Sequence, residues 1–147
     1  MFSKSCEYGI KAVIYIAKKS LQNERVRLDD IASEIDSPVA FTAKTLQLLS
    51  RNNIIHSAKG ANGGYEIPKE KIEKITLLKL VKIIDGELIY NGCGLGLTEC
   101  NSDAPCPIHD DFIKVRNELK QMLQNTTILE LVINLGKGLT HLKRTLN

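Results

Sequence analysis

The chain has 147 residues, 43% of them hydrophobic and 25% charged, which is the composition of an ordinary globular protein of one domain or one domain with an extension. No apolar run approaches the roughly 18 residues of a membrane span. The apolar stretch near the N-terminus is interrupted by Glu7 and Lys11 and has no small-residue cleavage site after it, so a cytoplasmic protein without a signal peptide or membrane partner is expected. The net charge of +3 is small, but the excess lies in the first 75 residues. From Ser37 to Tyr65 there is no Asp or Glu, whereas Lys44, Arg51 and Lys59 are all present. A surface free of carboxylates is what a phosphate backbone tolerates.

In chain order, residues 5–20 carry Ile10, Val13, Ile14, Ala17 and Leu21 at helical spacing. A short helix follows from Leu28 to Ile35, with Asp29 and Asp30 in its first turn and Arg27, not Ser or Thr, in the cap position. Asp36-Ser37-Pro38 reads as a turn in which Ser37 caps the next helix and Pro38 takes its first position. That helix runs to Arg51. Val39, Ala43, Leu46 and Leu49 form its expected inner stripe, and Ala40, Lys44, Gln47 and Arg51 its outer one. Two helices joined by a tight turn make a helix-turn-helix. Asn52-Asn53 ends the helix. Strands are then expected at Ile54–Ser57 and Tyr65–Ile67, joined by the Gly-rich turn of residues 59–64, in the order of a winged helix.

Thr76 is placed to cap a helix ending at Asp85-Gly86. Pro107 is expected to open a long helix in which Ile108, Phe112, Val115, Leu119 and Met122 step by four and three, the 3.5-residue repeat of a seam between two helices. A core helix has the same pattern over so short a run. Thr127 and Glu130 form a capping box for the last helix. The expected fold is therefore mainly α with a small β-hairpin: a winged helix-turn-helix domain (1–86), a cysteine-rich loop (87–106) and a helical dimerisation region with a long helix (107–147).

On the outer stripe, Lys44 suits guanine and Gln47 adenine in a major groove, and Arg51 suits a phosphate. In the wing, Ser57, Lys59 and the backbone of Gly60, Gly63 and Gly64 can meet phosphates or the minor groove.

The stretch CGLGLTECNSDAPCPIH puts Cys93, Cys100, Cys106 and His109 into seventeen residues rich in turn formers. In a reducing compartment such a cluster points to metal or redox chemistry rather than disulfides. Three Cys and one His suit tetrahedral zinc, but no close Cys-x-x-Cys knuckle is present. Widely spaced thiolates also suit an iron–sulfur cluster. Cys6, inside a helical pattern, reads as a core residue. No nucleotide-binding fingerprint or second catalytic constellation points to an enzyme.

The run LDDIASEIDSPVAFTAKTLQLLSRNNIIHSAKGANGGYEI, with its LDDIA, FTAK and GANGGY marks, resembles the winged-helix core of the regulator family that includes IscR, NsrR and CymR. The likeness continues through the Thr76 helix, the cysteine loop and TTILELV, and so covers nearly the whole chain. It implies a homodimeric transcription regulator, a repressor, on a double-stranded DNA operator. Members with three loop cysteines bind an iron–sulfur cluster (2Fe–2S or 4Fe–4S), and others sense cysteine supply or other signals. The resemblance makes Cys93, Cys100 and Cys106 the cluster ligands, with His109 or Glu7 of the partner subunit completing the set. Three departures stand out: Lys59 occupies a wing position usually held by Arg, Gly9 stands where Ala is usual, and six residues rather than five separate Cys93 from Cys100.

Overall fold

A computed structural model describes residues 1–144; the last three residues of the expected dimerisation region lie outside it. Helix α1 (Lys4–Leu21) starts where Ser3 Oγ accepts the Cys6 amide at 3.1 Å. Ser3 is in turn held by the Asp85 carboxylate through its amide (3.0 Å) and its hydroxyl. The inward residues Cys6, Val13, Ile16 and Ala17 are fully buried. At Gly9 the neighbours of α1 come close: an added Cβ would lie 2.4 Å from Ile84 Cδ1 and 3.1 Å from Thr45 Cγ2.

Helix α2 (Leu28–Glu34) begins at Arg27 with no side-chain cap, as the sequence predicts. The turn reverses at Asp36 (φ 52°) and delivers α3 (Val39–Arg51). Here the capping expectation is corrected. Pro38 has an extended backbone and takes the cap position itself, while Ser37 Oγ pairs with Thr42 Oγ1. Thr42 reaches back to donate to the Pro38 carbonyl at 2.8 Å, which ties down the first turn without a serine cap. Val39 is also displaced from the expected inner stripe. It is 46% exposed, and Thr42 and Thr45 are buried beside Leu46 and Leu49 in its stead. Asn53 (φ 58°) takes the left-handed position that stops α3.

Strands β1 (His56–Ala58) and β2 (Gly64–Glu66) pair antiparallel with Ser57 opposite Tyr65. They lie later in β1 and earlier in β2 than the sequence pattern suggests. Ile54, Ile55 and Ile67 are instead drawn into the core by their apolar side chains. The Ile67 amide donates to the buried Ser20 Oγ at 2.9 Å, fixing the wing to the end of α1.

After the one-turn helix α4 (Lys69–Ile72), α5 (Leu77–Asp85) is capped by Thr76, whose hydroxyl accepts the Lys79 amide at 3.3 Å, and stops at Gly86 (φ 79°). A second one-turn helix, α6 (Leu88–Asn91), opens the cysteine segment. Helix α7 (His109–Asn125) begins two residues after Pro107, with Ile108 in the cap position. Helix α8 (Ile128–Gly136) is capped by Thr127 as expected. Two backbone bonds, Leu77 N to Thr126 O (3.0 Å) and Ile128 N to Ile75 O (2.9 Å), join the starts of α5 and α8. Helix α1 thus lies between α3, α5 and α8.

Helix α7 has two unlike faces. His109, Arg116 and Leu123, seven residues apart, are its buried residues. Of the apolar seam, Phe112 and Leu119 are half-buried, whereas Ile108 (40%), Val115 (63%) and Met122 (45%) face out. No helix among the described residues is long and apolar enough to cross a membrane.

Leu46→Ala empties a fully buried site and should cost about 2–5 kcal/mol, and Thr76→Ala about 1 kcal/mol by loss of a cap. Urea denaturation checks both as shifts in midpoint at constant slope.

Candidate nucleic-acid interface and cysteine loop

Helix α3 buries Thr42, Thr45, Leu46 and Leu49, so its other side must face out. Ala40, Lys44, Gln47 and Arg51 are all exposed there. Tyr8 packs edge-on against Phe41, ring centroids 5.6 Å apart, and braces the N-terminal half of the helix. Among the described residues none of Lys44, Arg51 and Lys59 enters an ion pair, so their charge is not neutralised locally. In the wing, Ser57, Lys59 and Gly60 are exposed, whereas Gly63 and Gly64 are half-buried. Gly64 has φ 133° and lies so close to Val26 that a Cβ would come within 2.8 Å of the Val26 carbonyl, so its first role is the hairpin itself.

Sequence reasoning missed what holds the wing. Val26 exchanges two backbone bonds with Tyr65 (3.1 and 2.7 Å), which adds a one-residue bridge along the other edge of β2. The arginines on either side reach the wing. Arg25 meets the Glu66 carboxylate at 3.1 and 3.2 Å and the Asn62 carbonyl at 3.1 Å. Arg27 donates to the Ala61 carbonyl at 2.8 Å and the Gly60 carbonyl at 3.4 Å. The hydrogen bond from Arg25 holds the Glu66 carboxyl below the usual carboxylate range. The available signal was the Arg-Val-Arg alternation between two helices, a minimal strand pattern.

The cysteine segment folds back onto the start of α7. Cys106 is buried (8% exposed), as is His109 (7%), and Cys93 and Cys100 are half-buried. The four donors associate in two pairs. Cys100 Sγ lies 3.4 Å from His109 Nδ1, and the Cys93 and Cys106 thiols lie near enough to affect each other's titration. Backbone amides of Leu95, then Leu97, lower the Cys93 pKa, while burial raises that of Cys106. Among the described residues, no three or more His, Cys, Asp or Glu side chains converge as a ready metal-holding set. Glu7 does not join the loop of its own subunit; it pairs with Lys4 at 2.8 Å, and this lowers its pKa. The donors are soft thiols and an imidazole on a loop built from glycines and prolines, which suits them to a thiophilic metal or cluster.

Arg116, also unforeseen, anchors the loop. It is 9% exposed, and its Nη1 donates to the carbonyls of Gly92 (2.8 Å) and Asn91 (3.3 Å), immediately before Cys93. Among the described residues its Nε has no hydrogen-bond partner. Phe112 packs over Gly94, whose Cα would admit no side chain without displacing the ring. Helix α7 thus holds the loop at two places: by Arg116 and Phe112 beside Cys93, and by His109 at Cys100.

Two predictions follow from the site. Arg116→Met removes the donor to Asn91 and Gly92; hydrogen bonds from a charged donor contribute about 1.5–3 kcal/mol, so exchange of the loop amides should quicken about tenfold or more while the fold persists. Hydrogen–deuterium exchange followed by peptide mass analysis checks it. Cys6 is fully buried, and burial first, then the Asp85 carboxylate, pushes its thiol up to about 12 from 9.0. The folded state keeps this proton when the unfolded chain loses it, so stability is intact below pH 9 and declines as pH rises toward 12. Alkylation of the native protein at pH 8 should modify loop cysteines and spare Cys6, and Cys6→Ala should flatten the alkaline decline.

Comparison with known proteins agrees with this architecture. The chain is 29% identical over 135 residues to a candidate HTH-type transcriptional regulator of Aquifex aeolicus, covering 90% of this chain and 91% of that one. It is 25% identical over 127 residues to the HTH-type transcriptional regulator IscR of Serratia proteamaculans, covering 86% and 76%. The structure of CymR, the global cysteine regulator of B. subtilis, superposes with a TM-score of 0.74 at 22% identity, covering 90% of this chain and 96% of that one, and so shares the fold. These relatives are regulators and not enzymes. The family model for Rrf2, iron-dependent transcriptional regulator, matches residues 2–134, and the chain belongs to the Rrf2 family of DNA-binding transcriptional regulators.

Proposed function

We propose that the chain is a cytoplasmic homodimeric repressor whose affinity for a double-stranded DNA operator is set by an iron–sulfur cluster at the cysteine loop. Cys93, Cys100 and Cys106 would supply the thiolates and His109, or Glu7 of the partner subunit, the fourth ligand. The observation that carries the reading is the placement of the donors: the Cys100–His109 contact of 3.4 Å seats the loop on the first turn of α7. When bound, the cluster supplies a centre that responds to nitric oxide, redox state or iron–sulfur supply. A non-cysteine fourth ligand is the weakest link in such a set and the first to be exchanged.

The chain's own residues turn that event into a change of geometry. Ile108, Val115 and Met122 are the outward part of the α7 seam and would pack on the same helix of a second copy. The buried stripe of α7, through Arg116 and His109, grips the loop. A loop that tightens or releases therefore shifts α7 against its partner and changes the spacing of the two α3 helices, which must match major grooves about 34 Å apart. Switching requires that the loaded loop favour one subunit arrangement over the other. On each α3, Ala40, Lys44 and Gln47 would face bases and Arg51 a phosphate. Ser57, Lys59, Gly60 and the backbone at Gly63 and Gly64 would lie along the backbone or minor groove. Lys59 is a compact ammonium where a planar guanidinium is usual, which predicts a weaker preference for narrow minor grooves than in arginine-bearing relatives.

A second reading keeps the same DNA-binding dimer but gives the loop structural zinc or no metal, with another signal such as cysteine supply. It is favoured by the pairwise arrangement of the thiols and the fold shared with CymR. Oxygen-free purification separates the two. Brown protein with near-stoichiometric iron and acid-labile sulfide supports the sensor, and colourless zinc-loaded or metal-free protein supports the alternative. Cys100→Ala should abolish the colour and change operator affinity about tenfold or more between loaded and unloaded states; equal affinity would contradict the coupling.

A further inference from the structure

The wing hairpin has little to hold it in place by itself. Its strands are three residues each, too short for independent stability, and its tip, residues 59–62, is exposed. What fixes the tip is the segment between α1 and α2. Successive side chains of an extended segment alternate in direction. Val26 turns into the core (5% exposed) and pairs with Tyr65, so Arg25 and Arg27 both turn the other way, over the wing. Between them they occupy the carbonyls of Gly60, Ala61 and Asn62, three consecutive residues of the tip, and Arg25 forks onto Glu66 at the base. Arg27 is also the residue from which α2 starts, so it belongs rigidly to the helix-turn-helix.

We propose that Arg25 and Arg27 are positioning residues for DNA recognition: they clamp the wing tip to the helix-turn-helix, so that Lys59 and the α3 face meet one duplex in a single fixed register. This rests on the reading of α3 and the wing as the DNA-contacting surface. A clamp acts through preorganisation. Without it the tip would have to be ordered at the moment of binding, and affinity would fall by the cost of that ordering. The clamp's carboxylate, Glu66, distinguishes this role from direct contact. An acidic group near a phosphate backbone is unfavourable in itself, so removing it should help binding unless its use is to hold Arg25.

The test measures binding by fluorescence anisotropy to a duplex enriched by the wild-type protein from a random-sequence pool, with metal content matched across variants and folding checked by circular dichroism. Arg27→Ala and Arg25→Ala should each weaken binding about tenfold, and Glu66→Ala should weaken it too. In the cycle with Lys59→Ala, the double variant Arg27→Ala/Lys59→Ala should bind within about twofold of the weaker single variant, because the clamp acts through the wing. Additive losses in that cycle, or binding that is unchanged or tighter in Glu66→Ala, would make the arginines direct phosphate contacts and overturn the proposal. Unchanged binding by both arginine variants overturns it as well. A wild-type protein that enriches no duplex overturns the DNA-reading surface and the clamp together, so the two failures are told apart.

Discussion

Helix α1 is the element against which the others pack, and at Gly9 the side chains of Ile84 and Thr45 close on its backbone. Helix α3 lies on one side of α1, α5 on another and α8 on a third, and the Ile67 amide bonded to Ser20 pins the wing to its far end. A fold with one buried central helix transmits displacement well, because close-packed elements shift between discrete arrangements rather than deform gradually. The start of α1 is held by the end of α5 through Asp85 and Ser3, and the cysteine segment begins directly after α5. The loop is therefore connected by covalent chain and by hydrogen bonds to the helix against which α3 packs.

The second organising feature is the division of labour on α7. Its buried stripe is polar at the end that meets the loop, with His109 and Arg116, and apolar at the end that meets the core, with Leu123. Its outward stripe is apolar. Burying an arginine with an unpartnered Nε, when apolar residues are available one step around the helix, runs against stability. In return the guanidinium satisfies two carbonyls at the root of the loop, and the outward apolar stripe stays uncovered within the subunit.

Cation placement on the winged unit is equally divided. Lys44, Arg51 and Lys59 have no acidic partner among the described residues, whereas Arg25 is committed to Glu66 and, with Arg27, to wing carbonyls. Similar charges are thus divided between one set left open to solvent and one set bonded into the wing. A basic excess by itself does not distinguish them; their hydrogen bonds do.

Much of this was legible in the residues. Local chemistry set the helix limits: Thr76 and Thr127 as caps, Asn53 and Gly86 as stops, and the outward Ala40, Lys44, Gln47 and Arg51 of a 3.6-residue period. The donor residues of the loop were equally plain, as thiols and an imidazole among turn formers. Other features belonged to contacts between distant parts of the chain, which no local period encodes. The apolar period of α7 marked one stripe, but burial in the subunit went to the stripe carrying His109 and Arg116, because loop carbonyls and a thiol were there to receive them. The bridge on the wing's outer edge needed Val26 to meet Tyr65, nearly forty residues away. The pairing of Cys100 with His109 and of Cys93 with Cys106 was decided by how the loop lies on α7. Sequence by itself determined which elements form and which chemistry they carry; the tertiary structure alone decided which faces turn inward and which donors meet, since hydrogen bonds between distant segments depend on the packing that brings them together.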